Sequence, residues 1–65
     1  MELSIIRVRK KGNINYDFVI VESDQVEDWL KHNFSPEIHS EKSAWSGFKT
    51  KEEAEDFMRE RARGR

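Results

Sequence analysis

The sequence predicts an α+β fold: a single three-stranded antiparallel sheet with two helices on one face, in the order β-β-α-β-α. Residues 3–10 alternate apolar and polar side chains with the period of two that is typical of strands, and residues 16–21 are rich in β-branched and aromatic residues. Two later segments repeat apolar residues every three or four positions, which is the period of an amphipathic helix. A short turn between neighbouring strands favours antiparallel pairing.

The first two strands are predicted to form a hairpin. Strand one covers residues 3–10, with its apolar and basic side chains on opposite faces: Ile6 and Val8 on one face, Arg7 and Arg9 on the other. Gly12 and Asn13 indicate a turn of three to five residues. Residues 16–21 form the strongest strand, because β-branched and aromatic residues fill them.

The first helix is predicted to begin at Ser23 or Asp24, and Asp24 with Glu27 has the spacing of a capping box. Its apolar stripe falls at i, i+3, i+4 and i+8: Val26, Trp29, Leu30 and Phe34. Pro36 cannot continue a helix, so residues 35–43 are expected to form a loop.

The third strand is predicted over about residues 43–49 and the second helix over about residues 51–62, with Gly64 beyond its end. Thr50 and Glu53 have the spacing of a second capping box. Trp45 and Phe48 would point to opposite faces of a regular strand, so one ring is expected in the core and the other partly exposed.

The predicted core combines apolar residues of all five elements: Ile6, Val8, Val19, Val21, Val26, Trp29, Leu30, Phe34, Phe48, Ala54, Phe57 and Met58. Which face of each strand points inward stays open by one register. The uncovered face is expected to carry Tyr16 with Arg7 and Arg9. Exposed aromatic residues on a sheet favour a binding surface.

The chain has 65 residues, which favours a single domain over residues 1–65. A domain of this size buries only about 60% of its unfolded surface, so self-association into a homodimer is an open way to gain stability. The absence of cysteine excludes disulfides and thiolate metal sites, and favours a reducing compartment. Without an apolar span or a signal-like N-terminus, we expect a soluble, cytoplasmic protein with no membrane partner.

Charge is segregated along the chain although the net charge is −1. Residues 1–16 carry +3, residues 17–41 carry −6, residues 42–56 carry −1 and residues 57–65 carry +3. The protein is therefore dipolar rather than basic. A dedicated duplex-binding protein usually has a strong basic excess, so the overall balance argues mildly against that class.

No catalytic, metal or cofactor site is expected. The sequence has no Ser-His-Asp or Cys-His arrangement and no glycine-rich phosphate loop. His32 complements a helix C-terminus and His39 lies in a polar segment. The acidic residues 52–56 are interpreted as the solvated first turns of a helix rather than a cation site.

The candidate binding residues are the basic and aromatic side chains that the sheet would expose: Arg7, Arg9, Lys10, Lys11, Tyr16, Trp45 and Lys49. An arginine beside an exposed ring serves either a nucleic acid or a protein partner. The basic segments 7–11 and 59–65 form either one phosphate-binding edge or two separate charged ends, and both alternatives stay open.

A family resemblance follows from residues 44–48, which end a strand as Ala-Trp-Ser-Gly-Phe, and from the helix Glu-Ala-Glu-Asp-Phe-Met at 53–58. With the order β-β-α-β-α, they resemble the hybrid-binding domain at the N-terminus of many eukaryotic-type ribonucleases H. Residues 8–12 look like that family's first strand and Lys-rich turn. The resemblance implies binding of RNA–DNA hybrids, with the backbone contacted by Lys10, Lys11, Trp45 and Lys49.

The sequence as a whole favours a small non-catalytic accessory or regulatory protein, of bacterial or phage type, that acts by protein–protein contact. It takes a protein partner in this interpretation, with a homodimer as one form of that contact. The alternative is a nucleic-acid-binding module of the hybrid-binding kind. Neither interpretation includes a small-molecule substrate.

Overall fold

The computed structural model describes residues 2–63, with side chains for residues 2–61. Its elements follow the predicted order: β1 (Leu3–Lys10), β2 (Asp17–Glu22), a 3-10 turn (Ser23–Gln25), α1 (Val26–Asn33), β3 (His39–Phe48) and α2 (Lys51–Arg63). The α+β class, the three-stranded antiparallel sheet and the order β-β-α-β-α are confirmed. Gly64, which was predicted to follow the end of the second helix, lies outside the described residues.

The first strand forms the centre of the sheet, with the strand order β2-β1-β3. On one side Ile5 pairs with Ile20, and on the other side it pairs with Trp45. The β1–β2 connection turns at Gly12, whose φ is +80°, and the Asn13 N–H donates to the Lys10 carbonyl at 3.1 Å. The predicted hairpin is therefore present, but its connection spans residues 11–16 and is longer than the predicted three to five residues.

Both faces of the central strand are covered. Ser4, Ile5 and Ile6 are consecutive in β1, and each is 0% exposed. Because neighbouring strand residues point to opposite faces, material must lie on both sides of the sheet. α2 covers the face of Ile5: the Phe57 ring lies 5.3 Å from the Trp45 ring, and Trp45 pairs with Ile5.

The first helix contacts the other face, and the expectation that both helices share one face is corrected here. The Lys42 ammonium lies 4.9 Å from the centre of the Phe34 ring, at the end of α1, and Lys42 pairs with Val8. Trp29 of α1 lines a cleft with Val21. The physical reason is that β1 is apolar on both faces, as a central strand must be when both of its faces are buried.

A bulge in β3 places two aromatic rings on one face, where the sequence analysis expected them on opposite faces. Leu3 pairs with Phe48 while Ser4 pairs with Ser46, so Gly47 is the extra residue. Its φ of +101° is a conformation that glycine adopts without strain. Phe48 therefore joins Trp45 on the α2 side, and its ring lies 5.2 Å from the Phe57 ring.

The start of the first helix differs from the prediction. A 3-10 turn precedes α1, and no side-chain hydrogen bond caps either of them, so the predicted capping box at Asp24 and Glu27 is absent. The Ser23 hydroxyl instead makes a 2.7 Å hydrogen bond with the hydroxyl of Ser4. This contact fastens the turn to the sheet.

One of the two hydrogen bonds of the predicted capping box of α2 is present, and the other is shifted by one residue. The Glu53 N–H donates to Thr50 Oγ1 at 3.1 Å, and Glu53 Oε1 accepts the Lys49 N–H at 3.0 Å. The Glu53 N–H, which the helix start leaves without an intrahelical partner, is thereby satisfied, and the Glu53 carboxylate holds the backbone just before the cap. This cap begins the helix directly after β3.

The predicted loop over residues 35–43 is wrong beyond residue 38, because β3 begins at His39. The Ser35 N–H donates to His39 Nδ1 at 3.1 Å, and the His39 N–H donates to the Ser35 carbonyl at 2.7 Å. The buried His39 ring also stacks on Phe34 at 5.2 Å. These contacts begin the strand four residues before the predicted position.

The core is smaller than predicted. Of the predicted members, Ile6, Val8 and Ala54 are buried, and Ile5 joins them although the prediction omitted it. The remaining predicted residues are half-buried. A thin layer of half-buried side chains on each face is expected when 65 residues form three layers.

Candidate binding surface

The arginine side chains of β1 meet the C-terminal part of α2 at one end of the sheet. Arg7 and Arg9 lie on the same face as Ile5, and Arg61 approaches them from α2. We call the set Arg7, Arg9, Tyr16, Trp45 and Arg61 the arginine surface. Every guanidinium group in it lies within 5.6 Å of an aromatic ring centre.

Arg7 lies at the centre of the arginine surface. Its guanidinium carbon is 4.1 Å from the centre of the Tyr16 ring and 5.3 Å from that of Trp45. Arg7 Nη2 also donates to Ser43 Oγ at 3.3 Å. A guanidinium group held by two rings and a hydroxyl loses less conformational freedom when it binds a ligand.

Glu41 is the acidic residue closest to this group. Its carboxylate lies 2.6 Å from Arg9 Nη2 and 4.0 Å from Arg7 Nη2. The Tyr16 hydroxyl approaches both carboxylate oxygens at 3.5 Å, which is a long contact. Glu41 therefore neutralises Arg9 more than Arg7.

Arg61 comes from α2, one helical turn beyond Phe57. Its guanidinium carbon is 5.0 Å from the centre of the Trp45 ring and 5.2 Å from that of Phe57. Residues four apart on a helix share a face, so the side chain that packs on the sheet positions Arg61 next to Trp45. The structure thus brings the basic strand and the basic helix end together on one indole.

A cleft of about 450 Å³ lies beside the arginine surface. Its walls combine cationic, aromatic and apolar side chains: Arg7, Ile14, Asn15, Tyr16, Phe18 and Arg61. The Ile14 side chain is 85% exposed, the largest exposure among the big apolar residues that the structure describes. The cleft offers positive charge and apolar area side by side.

The predicted site residues divide into three groups. Arg7, Arg9, Tyr16 and Trp45 come together in the arginine surface. Lys10 and Lys11 are exposed at the same end of the sheet, in and beside the hairpin turn. Lys49 follows Phe48, which pairs with Leu3 at the opposite end, so it is not part of the surface.

Three contributors were not among the candidate binding residues, namely Arg61, Glu41 and Ile14, although Arg61 lies in the basic segment 59–65 that was named as one alternative. Arg61 was identifiable, because the i+4 spacing from Phe57 places it on the packed face of the helix. Glu41 was not predicted because residue 41 was assigned to a loop. Since β3 begins at His39, Glu41 is a strand residue and pairs directly with Arg9. Opposite charges at paired positions stabilise neighbouring strands. No sequence signal distinguished Ile14 from other hairpin residues.

The candidate catalytic and metal residues are dispersed. His32 is exposed on α1, where its Nδ1 lies 2.9 Å from the Asp28 carbonyl, and His39 packs inside the fold. Over residues 2–63, no cluster of three or more potential ligands is arranged around a common point. Neither described helix combines the length and apolar character that crossing a bilayer requires.

Comparison with known proteins found no match among family models, curated proteins or solved structures. The resemblance to the ribonuclease H hybrid-binding domain stays a prediction.

Proposed function

We propose that the protein is a non-catalytic binding module that acts by protein–protein contact through the arginine surface. The observation that carries this proposal is the convergence of Arg7 and Arg61 on the Trp45 ring, with Tyr16 stacked on Arg7. Arginine, tyrosine and tryptophan are the residues that most often dominate the binding energy of protein interfaces. Their mutual stacking also pre-organises them for a partner.

In this proposal, the protein works as an accessory or regulatory factor in the cytoplasm. The absence of cysteine suits a reducing compartment. The contact occurs either with a different protein or with a second copy of this chain. The size of the purified protein in solution distinguishes these two forms of contact.

Replacing two arginines tests the proposal. The double variant Arg7→Gln, Arg61→Gln removes two charges from the surface, and Lys31→Gln, Lys51→Gln removes two charges elsewhere as a matched control. Proteins retained from a cell extract by each variant and by the unchanged chain are quantified by mass spectrometry. Because arginine anchors often carry more than about 2 kcal/mol, we expect the partner's recovery to fall about tenfold or more for the arginine variant alone.

Two results would contradict the proposal. Equal loss for both double variants would show a general charge effect. Full retention by the arginine variant would show that the partner binds elsewhere. Circular dichroism measures whether each variant keeps its fold. We expect the fold to persist, because Arg61 and the control side chains are exposed and Arg7 is half-buried.

A nucleic-acid-binding module is the second candidate, and one specific observation favours it. The basic segments at the hairpin and at the end of α2 approach the same ring, so together they offer several cations to phosphates. Binding of an RNA–DNA hybrid through three arginines predicts a log–log salt slope of about −2 to −3. A flat salt response, or no binding at low salt, would remove this candidate.

A further inference from the structure

We propose that the cleft beside the arginine surface binds an acidic segment of a partner protein, one in which an apolar side chain stands next to a carboxylate. This inference rests on the proposed function and names the chemistry of the partner. It follows from three features of the cleft. The cleft has an apolar wall, Glu41 neutralises the charge of Arg9 more than that of Arg7, and side chains pack closely around Trp45.

The apolar wall lies at the hairpin. Ile14 is 85% exposed, Tyr16 is 37% exposed, and both line the cleft with half-buried Phe18. Removing apolar area from water contributes about 25 cal/mol per Å², so a partner side chain placed here gains affinity without any charge. A phosphate backbone has no group that uses this wall.

The cationic part of the cleft is formed by Arg7 and Arg61, with Arg7 directly against the Tyr16 ring. Glu41 shows how the surface takes a carboxylate, because it already holds Arg9 at 2.6 Å and receives the Tyr16 hydroxyl at 3.5 Å. It approaches Arg7 no closer than 4.0 Å, so Arg7 keeps capacity for a second carboxylate. Charge complementarity therefore selects an acidic occupant.

The packing around Trp45 favours a protein segment over a nucleic acid. Arg7, Arg61 and Phe57 all lie within 5.3 Å of the indole centre, which crowds the ring that a base would stack on. Glu41 is positioned to compete with the incoming carboxylate for Arg7. Removing its charge frees the guanidinium groups for the partner.

A peptide titration followed by NMR tests the inference. The probe is acetyl-Glu-Leu-Glu-Leu-amide, with acetyl-Gln-Leu-Gln-Leu-amide and acetyl-Glu-Ser-Glu-Ser-amide as controls that lack the charge or the apolar group. We expect shift changes at Ile14, Tyr16, Phe18 and Arg61, and about tenfold weaker binding of each control. Glu41→Gln should tighten binding about two- to fivefold, the range expected for losing one exposed ion pair.

Variants at the cleft distinguish the contributions that its apolar and cationic residues make to binding of the probe peptide. Ile14→Ser should weaken the probe as much as the serine control peptide does, and Arg61→Gln should weaken it as much as the glutamine control does. Both side chains are exposed, so the fold persists in either variant. Lys31→Gln on α1 serves as the matched control and should leave binding unchanged.

Several outcomes would overturn the inference: no shift at the cleft, equal binding of the uncharged peptide, or displacement of the peptide by decathymidylate with a steep salt dependence. If the peptide fails while Arg7→Gln, Arg61→Gln still loses a protein partner, only the assigned chemistry is wrong. If that double variant retains its partner, the proposed function fails as well.

Discussion

Ile5 and Ile6 are neighbours in β1 and both are fully buried, although their side chains point in opposite directions. Each belongs to a different layer of the core: Ile5 to the layer under α2, and Ile6 to the layer under α1. The same strand carries Arg7, which follows the direction of Ile5 and emerges beside Tyr16 and Trp45. The packing of β1 in the core therefore determines where the arginine surface lies.

Truncating each isoleucine tests this assignment. Ile5→Ala and Ile6→Ala should each lower the free energy of unfolding by about 2–5 kcal/mol, because both leave a cavity in a packed layer. Ile14→Ala, at an exposed position, should change it by less than about 0.5 kcal/mol. Urea denaturation followed by tryptophan fluorescence measures all three. A small cost at either buried position would mean that one face of the sheet is open.

Residue patterns predicted the arginine surface in part. The alternation of β1 placed Arg7 and Arg9 together, and Tyr16 was expected on their face, where it lies. The helix pattern places Arg61 on the packed face of α2, but its meeting with Arg7 at the Trp45 ring depends on how α2 crosses the sheet. A single strand or helix pattern does not contain that relation.

At the scale of elements, the two helices begin in different ways. The Thr50 hydroxyl caps α2, whereas α1 follows a 3-10 turn without a side-chain cap. Both starts had the same capping-box spacing in the sequence. Asp24 and Ser23 lie within the 3-10 turn, and the Ser23 hydroxyl is hydrogen-bonded to Ser4 of the sheet. This contact with the sheet replaces the capping box that the sequence spacing predicts.

This difference predicts unequal effects of two substitutions. Thr50→Ala should cost about 0.5–2 kcal/mol, since it leaves the Glu53 N–H without its acceptor. Asp24→Ala should cost less than about 0.5 kcal/mol, because no side-chain hydrogen bond caps that turn. Thermal unfolding of the two variants measures the difference. Equal losses would indicate that Asp24 caps α1 in solution.

Element bounds were predictable where the pattern is local and failed where distant contacts decide. β1 matches residues 3–10, and α2 begins at Lys51 as expected. β3 begins four residues before the predicted position, because the His39 ring stacks on Phe34 and accepts a hydrogen bond from the Ser35 N–H. Phe34 and Ser35 directly follow α1. The bulge at Gly47 likewise depends on pairing with β1.

At the scale of the whole molecule, the three layers separate the charges. The acidic first turn of α1, with Glu27 and Asp28, lies on the opposite side of the sheet from the arginine surface. The acidic first turn of α2 lies at the far end from Arg61. A protein of net charge −1 therefore presents a local cationic surface, which the overall composition concealed.

This placement of helices on both faces also changes where the proposed binding surface lies. An uncovered sheet face was expected to provide the surface. Helices lie on both sides of the sheet instead, and the arginine surface is open where α2 ends beside Arg7 and Tyr16. In the proposed interaction, a partner would contact one end of the sheet rather than a whole face.

Both proposals depend on Arg7 and Arg61 meeting at one indole. A ¹³C-edited NOE spectrum of the unbound protein measures this directly through the Trp45 ring protons. We expect cross-peaks from the indole to the δ-protons of both arginines, with those protons shifted upfield by the ring current. Cross-peaks to Arg7 alone, or to neither arginine, would show that the two basic segments lie apart and would contradict the account.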